Sequence, residues 1–217
     1  MSGEKTLKRD LFGEVTLQSR DEEPVIVRDT TRSAWWLRWL ARALLRREAR
    51  SLAVLEGLDG VPEVLDQERD ILVRSYIEGE QLHCVKPRDA AWFVSAAQLL
   101  RRLHRAGVCH NDLAKEPNLL VRPDGSAAFI DFQLASYRRK RGRLFRIAAY
   151  EDIRHLLKHK RSYRADLLTQ RERNILANPS PLSRLWMRTV HAAYVFVTRR
   201  ILGWQDREGA GDRGSQS

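Results

Sequence analysis

One stretch of the chain holds the residue types that phosphoryl transfer requires. The loop that starts at His110 carries a carboxylate, Asp112, a cation, Lys115, and an amide, Asn118, and a further carboxylate, Asp131, follows it. Phosphoryl transfer needs a carboxylate to orient the attacking hydroxyl, oxygen ligands for Mg²⁺, and positive charge against the polyphosphate. These residues therefore indicate a kinase-like centre.

The elements around this loop are suited to bring the two carboxylates together. A helix over 89–106 ends at Gly107 and leads into the loop. A strand over 119–122, a turn at 123–125 and a strand over 127–130 then form a hairpin. Because a hairpin brings the chain back to its starting point, we expect Asp131 to return to the loop.

The rest of the chain supplies elements on either side of this centre. Alternating and β-branched residues predict strands within 11–28, at 63–65 and at 71–77, and a Leu-, Arg- and Trp-rich segment predicts a helix over 34–56. The sequence Glu78-Gly79-Glu80 predicts a hinge. Further helices are expected over 150–160, 164–177 and 182–202.

The segment from His110 to Asp131 resembles the catalytic loop and metal-binding motif of the protein-kinase-like fold, H-x-D-x-x-x-x-N followed by D-F-G. It is most similar to the lipopolysaccharide-core (Kdo/heptose) kinases and the RIO-like kinases of bacteria. The resemblance implies that Asp112 is the catalytic carboxylate, that Asn118 and Asp131 bind Mg²⁺, and that Lys115 helps to neutralise the transferred phosphate.

Two positions depart from this motif. Asn118 lies one residue later than usual, so the loop contains an extra residue that Pro117 could accommodate. Gln133 replaces the usual Gly, and because Gly allows unusual backbone angles, a Gln here favours a fixed segment over a switching one.

The N-terminal part matches the family less well. The family's Gly-rich phosphate loop is reduced to Gly13, and Arg28 stands where a strand Lys is expected, with Glu48 on the next helix as its candidate partner. An Arg can hold phosphate through two hydrogen bonds but is not equivalent to Lys. The alternatives are an exposed Arg28 at a strand end and a Glu48 that pairs only within its own helix. The adenine of ATP is expected near residues 74–77, with Tyr76 and Ile77 as its binding residues.

The residues after Asp131 lack the family's long activation segment and its Ala-Pro-Glu motif, and a basic run over 137–146 follows instead. This argues against control by phosphorylation of that segment. Asp152 is a candidate for the buried carboxylate that braces the catalytic loop; the alternative is a charge at a helix N-terminus.

The formal net charge of +11 favours anionic partners. Trp35, Trp36 and Trp39 alternate with arginines, which suits contact with a membrane surface, although a Trp stripe that faces the core is the alternative. The basic run has no accompanying nucleic-acid motif, so nucleic acid is not expected as a partner. Cys84 and Cys109 lack the spacing of a metal site.

The polar segment 1–10 has no apolar core of a signal peptide. We therefore expect a cytoplasmic protein; any contact with the inner membrane is expected to be peripheral. We expect an α+β, two-lobed protein-kinase-like fold with an N-lobe over 1–79, a catalytic C-lobe over 80–205 and a disordered tail over 206–217. The first expected function is transfer of the γ-phosphate of ATP, with Mg²⁺, to a hydroxyl of a saccharide or lipopolysaccharide-type acceptor. The alternatives are a RIO-like serine/threonine protein kinase and a pseudokinase that binds partners.

Overall fold

An antiparallel sheet forms the N-terminal part of the computed structural model, which describes residues 4–87 and 89–178. Its five strands lie in the order β1-β2-β3-β5-β4, and a helix, α1, connects β3 to β4. The elements are β1 (Lys5–Asp10), β2 (Gly13–Arg20), β3 (Glu23–Asp29), α1 (Arg38–Val54), β4 (Val64–Gln67) and β5 (Ile71–Ser75). Leu45 and Ala49 of α1 pack on Leu72 of β5, so the helix covers the sheet.

The C-terminal part is mainly helical. Its helices are α2 (Leu82–Val85), α3 (Ala90–Arg105), α4 (Arg143–Arg164) and α5 (Gln170–Ala177). Its short strands are β6 (Glu80–Gln81), β7 (Val108–Cys109), β8 (Leu119–Val121), β9 (Ala127–Phe129) and β10 (Ser136–Tyr137). The larger core lies here, where α3 buries Trp92 and Leu103 against Phe129 and Phe132. The expected α+β fold, with a β-sheet N-terminal part and a helical C-terminal part, is confirmed.

The hairpin of β8 and β9 has the register that the sequence predicts. Leu119 pairs with Phe129 and Val121 with Ala127. A backbone hydrogen bond also connects the hairpin to the segment that follows α1, since the Phe129 N–H donates to the Gly60 carbonyl at 2.9 Å. Gly60 has a φ of +90° and a Cβ there would lie 3.0 Å from the Ala127 carbonyl oxygen, so this approach requires glycine.

Several predicted element bounds were wrong. The strand β1 was not expected, and the predicted helix over 34–56 begins only at Arg38. The two helices expected over 150–160 and 164–177 are instead α4, which already begins at Arg143, and the short α5. Helix α4 begins before the predicted residue 150 because Phe145 is buried and extends the apolar face of the helix. Its first turn therefore includes residues of the run that was predicted to be a basic loop.

The predicted break near Glu78 agrees with a segment, 76–79, that has no regular secondary structure. The division into lobes at residue 79 stays a prediction. The predicted helix over 182–202 and the predicted tail over 206–217 lie outside the described residues. None of the helices within residues 4–87 and 89–178 is long and apolar enough to cross a membrane.

Candidate active site

A buried carboxylate holds the start of the loop that the sequence singled out. Asp152 of α4 is fully buried and accepts the backbone N–H groups of His110 and Asn111, both at 2.8 Å. His104 Nε2 lies 3.2 Å from the same carboxylate. The structure therefore confirms that Asp152 braces the loop, and the alternative of a helix N-terminal charge is wrong because α4 begins at Arg143.

The brace is not a promising metal site, although His104, Cys109 and Asp152 bring ligand atoms within 4.8 Å of one another. Both carboxylate oxygens of Asp152 already accept backbone N–H groups. Burial, and then the neighbouring Asp152 charge, raise the pKa of the Cys109 thiol to about 12, which disfavours the thiolate that a metal would need. The cluster is thus a structural support for the loop.

His110 connects the loop to the end of the hairpin. Its buried ring lies 4.6 Å, centroid to centroid, from Phe132, and its Nε2 is 3.0 Å from the Ile130 carbonyl oxygen. The backbone N–H of Asp112 donates to His110 Nδ1 at 3.3 Å. These two bonds are satisfied together by the neutral tautomer with its proton on Nε2. A single buried ring thus fixes the backbone of Asp112 relative to the residue before Asp131.

The side chains of Asp112, Lys115 and Asn118 come together. Asn118 Nδ2 donates to Asp112 Oδ2 and to the Asp112 carbonyl, both at 3.0 Å, and Lys115 Nζ lies 3.0 Å from Asp112 Oδ2. A 3₁₀ turn over Glu116–Asn118, with Pro117 near its start, takes up the extra residue of the loop. The departure in spacing therefore does not separate Asn118 from Asp112.

Asn118 also joins the loop to the segment that carries Asp131. The Ile130 N–H donates to the Asn118 carbonyl at 3.0 Å. Asp131 has a left-handed backbone conformation, with a φ of 63°, and its Oδ1 is buried without a hydrogen-bond partner. A non-glycine residue held in this conformation is typical of functional sites. The hairpin therefore returns the second carboxylate to the loop, as the sequence predicts.

A buried ion cluster lies between α1 and the sheet. Glu48 is fully buried and contacts Arg28 of β3, with Nη1 to Oε2 at 3.4 Å, and Arg74 of β5 through a shorter bond. Both arginines are less than a tenth exposed. The predicted Arg28–Glu48 contact is thus present, and the alternatives of an exposed Arg28 and of a Glu48 that pairs only within its helix are wrong. Arg74 adds a second cation that the sequence prediction missed.

A further missed residue is Arg47, which ties α1 to the chain after Asp131. Its guanidinium donates to the carbonyl of Ala135 at 2.5 Å and to that of Leu134 at 2.7 Å. Arg74 could have been found, because an Arg that directly follows the apolar run from Ile71 to Val73 is unusual on an interior strand. Arg47 gives no such signal, since it sits in a helix that is rich in arginine.

Tyr76 and Ile77 lie in the connection between β5 and β6. Tyr76 is exposed and Ile77 is half-buried. Their predicted place beside adenine stays a prediction.

The donor set fits a nucleotide and a divalent cation. Four buried side-chain polar atoms of the described residues have no hydrogen-bond partner, and two of them are Arg28 Nε and Asp131 Oδ1. A guanidinium suits phosphate, and a carboxylate together with the amide oxygen of Asn118 suits Mg²⁺. Both unpartnered atoms belong to residues that the sequence selected for this purpose.

Comparison with known proteins identifies relatives of this site. The RIO domain profile matches residues 13–158. A probable serine/threonine-protein kinase BUD32 homolog from Archaeoglobus fulgidus is 32% identical over 123 residues, covering 54% of this chain and 61% of the relative. A probable SapB synthase from Streptomyces coelicolor is 33% identical over 123 residues, which cover 46% of this chain and 13% of that protein.

Solved structures agree on the fold. The Rio2 kinase from Chaetomium thermophilum matches with a TM-score of 0.61 and 17% identity over 83% of this chain and 60% of that one. The ADP/Mg²⁺-phosphoaspartate complex of the same kinase matches with a TM-score of 0.61 and 16% identity, over 83% of this chain and 58% of that one. The chain thus spans about three fifths of the length of the archaeal relative and of the Rio2 chains.

The loop, the hairpin and the braced carboxylate all lie within the matched residues, which make up more than half of the chain. This chain belongs to the RIO domain family, within the protein-kinase-like superfamily.

Proposed function

We propose that this chain is an ATP- and Mg²⁺-dependent RIO-type kinase that phosphorylates serine or threonine residues of a protein. The observation that carries the proposal is the double attachment of Asn118. Its side chain bonds to Asp112, and its carbonyl receives the N–H of Ile130, next to Asp131. Three residues of the kinase-like motif are thereby linked through short contacts, which an incidental set of surface charges would not produce.

The proposed reaction uses Asp112 to orient the acceptor. Its carboxylate, about one eighth exposed, accepts a hydrogen bond from the attacking hydroxyl and takes its proton as the oxygen bonds to the γ-phosphorus. The bond between the γ-phosphorus and the β,γ-bridging oxygen breaks, and ADP leaves with that oxygen. Lys115, at 3.0 Å from Asp112, compensates negative charge at this point.

Asn118 and Asp131 would hold the metal, and a bound Mg²⁺ would supply positive charge to the phosphates. Asn118 would use its amide oxygen, because its nitrogen already donates to Asp112. The unpartnered Asp131 Oδ1 is the second proposed ligand. The structure of the Rio2 kinase with ADP and Mg²⁺ supports the proposed use of a nucleotide with Mg²⁺.

On the N-terminal side, Arg28 would contact phosphate, with Glu48 fixing its guanidinium, and adenine would lie against Tyr76 and Ile77. Since two arginines share one Glu48, the cluster keeps a net positive charge that a polyphosphate would complement. This charge favours nucleotide binding, and with it an enzyme over the pseudokinase alternative.

The family match and the BUD32-like relative support a protein acceptor more than the saccharide acceptor that the sequence first suggested. The identity of the acceptor protein is left to the experiment.

The experiment follows γ-labelled ATP with Mg²⁺ in the wild type and in Asp112→Ala and Asp131→Ala, with a generic protein substrate and with an envelope saccharide fraction as acceptors. We expect acid-stable label on serine or threonine, with turnover reduced at least about 100-fold in both variants. Asp124→Ala is the matched control, because Asp124 is an exposed carboxylate in the turn of the same hairpin.

Two results would overturn the proposal. Label on the saccharide fraction alone would restore the first acceptor prediction and exclude the protein kinase. Absence of both transfer and nucleotide binding in a folded wild type would leave a pseudokinase.

A further inference from the structure

Three tryptophans form an apolar tip on the surface of the N-terminal part. Trp35 is 84% exposed, Trp39 68% and Trp36 47%, and Leu11 in the turn between β1 and β2 is 41% exposed. The Ala34 N–H donates to the Leu11 carbonyl at 3.1 Å, which joins the two segments. We call these four residues the Trp tip. Single exposed apolar residues are ordinary, but a cluster of three indoles and a leucine marks an interaction site.

The backbone beneath the Trp tip is ordered by its own hydrogen bonds. The Ser33 hydroxyl donates to the Thr30 carbonyl at 2.6 Å, and Arg38 Nη2 donates to the Thr31 carbonyl at 2.8 Å. The Leu37 N–H donates to the Ala34 carbonyl at 2.8 Å. The core-facing side of α1 begins only at Ala41. The indoles are therefore presented to solvent by an ordered turn and the start of α1 and do not belong to the core, so the alternative of a core-facing Trp stripe is wrong.

A basic surface continues from the Trp tip along α1. A first groove is lined by Trp39, Arg42 and Arg46, together with residues 67–69, and there Arg42 is paired with Asp70 at 2.7 Å. A second groove shares Arg46 with the first and runs toward β10. Its lining contains four arginines and no carboxylate among the described residues: Arg46, Arg47, Arg50 and Arg138. The surface thus carries net positive charge beside exposed indoles.

We propose that the Trp tip docks this protein on a membrane surface that contains anionic phospholipids. Indole rings settle at the headgroup level of a bilayer, and arginines beside them attract anionic headgroups. The four exposed apolar residues belong to two hydrogen-bonded segments at the start of α1, ahead of Arg42, Arg46 and Arg50. Single-stranded nucleic acid binds where aromatic rings lie along a basic groove, but Trp35 and Trp36 line neither groove. The arrangement is therefore complementary to a bilayer interface, with the Trp tip inserted and the α1 arginines facing the headgroups.

The docking site is distinct from the residues proposed for phosphoryl transfer, so the two proposals can fail separately. The second groove is bounded by Ala135 and Ser136, which follow Asp131 closely in the chain. A membrane bound through the α1 arginines would therefore lie near the segment that follows Asp131, the proposed metal ligand.

The test is flotation of the full chain with vesicles of phosphatidylcholine alone and with vesicles containing 30% phosphatidylglycerol. We expect at least tenfold tighter binding to the anionic vesicles. The double variant Trp35→Ser/Trp39→Ser should lose at least tenfold of that binding, and Arg46→Glu/Arg50→Glu should lose it in a salt-sensitive manner. ATP turnover in solution should be unchanged in the Trp variant.

The matched control is Val85→Ser/Val94→Ser, since both residues are exposed apolar side chains, at 39% and 53%, on α2 and α3, and neither lines the two grooves. This control should bind vesicles like the wild type. Equal binding by the Trp variant and the wild type would overturn the proposal, as would absence of vesicle binding. Binding to a 20-residue oligouridine in place of vesicles, lost in the same Trp variant, would instead make this a nucleic-acid surface and would also overturn it.

Discussion

The buried cluster of Glu48, Arg28 and Arg74 gives the sharpest test of how this structure is stabilised. The Glu48 side chain is fully buried, and those of Arg28 and Arg74 are 5% and 9% exposed. In Glu48→Ala the two guanidinium groups lose their counter-charge but cannot return to water without opening the contact between α1 and the sheet. Breaking a buried ion pair in this way costs about 3–5 kcal/mol. Domains are stable by about 5–15 kcal/mol, so the loss should be obvious.

The measurement is urea unfolding followed by far-ultraviolet circular dichroism, with slopes compared to confirm a common unfolded state. Asp59→Ala is the control, because Asp59 also pairs with an arginine, Arg122 at 2.9 Å, but its side chain is 75% exposed. That exposed pair should contribute at most about 1 kcal/mol. A Glu48→Ala variant that loses less than about 1 kcal/mol would refute the argument, because the arginines would then find other partners or water.

A second variant separates stability from function. Replacing all three residues together, as Arg28→Met/Glu48→Leu/Arg74→Met, removes every charge and fills similar volume, so the free energy of unfolding should return to near the wild-type value. The same variant should lose nucleotide binding, measured by fluorescence titration with a labelled ATP analogue, if Arg28 contacts phosphate as proposed. A stable triple variant that binds nucleotide normally would remove Arg28 from the proposed site.

Three further predictions concern the support of the loop, a turn and the thiols. Asp152→Asn keeps the shape of the brace but removes the negative charge that accepts hydrogen bonds from two backbone N–H groups of the loop. We therefore expect the free energy of unfolding, measured by urea titration, to fall by about 2–4 kcal/mol, and ATP turnover to slow at least tenfold. Gly13→Ala puts a Cβ 2.2 Å from a β3 carbonyl oxygen at a φ of +125°, so the free energy of unfolding should fall by at least about 1 kcal/mol. Gly125→Ala is its control, because a Cβ there has no atom within 4 Å, and it should lower the free energy of unfolding less in the same titration. Iodoacetamide at pH 7 to 10 should alkylate the exposed Cys84 alone in folded protein, since the pKa of buried Cys109 is raised to about 12; mass spectrometry that finds an adduct on Cys109 at pH 8 would contradict this.

The sequence predicted the loop and the hairpin well because their signals are local. The turn at 123–125 and the short apolar strands on either side fix the pairing of Leu119 with Phe129, so the return of Asp131 follows from spacing alone. The brace by Asp152 was predicted from the resemblance to the kinase-like family. The family motif then supplied roles that spacing could not.

The parts that the sequence missed depend on contacts between distant elements. Arg74 meets Glu48 because β5 pairs with β3, with Arg74 opposite Ile26, and nothing local to Arg74 specifies that pairing. The β1 strand was overlooked because its residues are charged and almost entirely exposed, which leaves no alternation of apolar side chains to detect. The early start of α4 was hidden in the same way, since a single buried Phe145 outweighs the basic residues around it.

These contacts bear on how the proposed site is kept in its geometry. In kinases with a mobile helix, the Lys–Glu contact forms only on activation. Here Glu48 pairs with one arginine from β3 and one from β5. Arg47, one position earlier on α1, donates hydrogen bonds to the carbonyl groups of Leu134 and Ala135. Movement of α1 would have to break both sets of bonds at once and expose buried charge. Because Gln133 also stands where the motif has Gly, we expect α1 and the chain after Asp131 to keep one fixed arrangement.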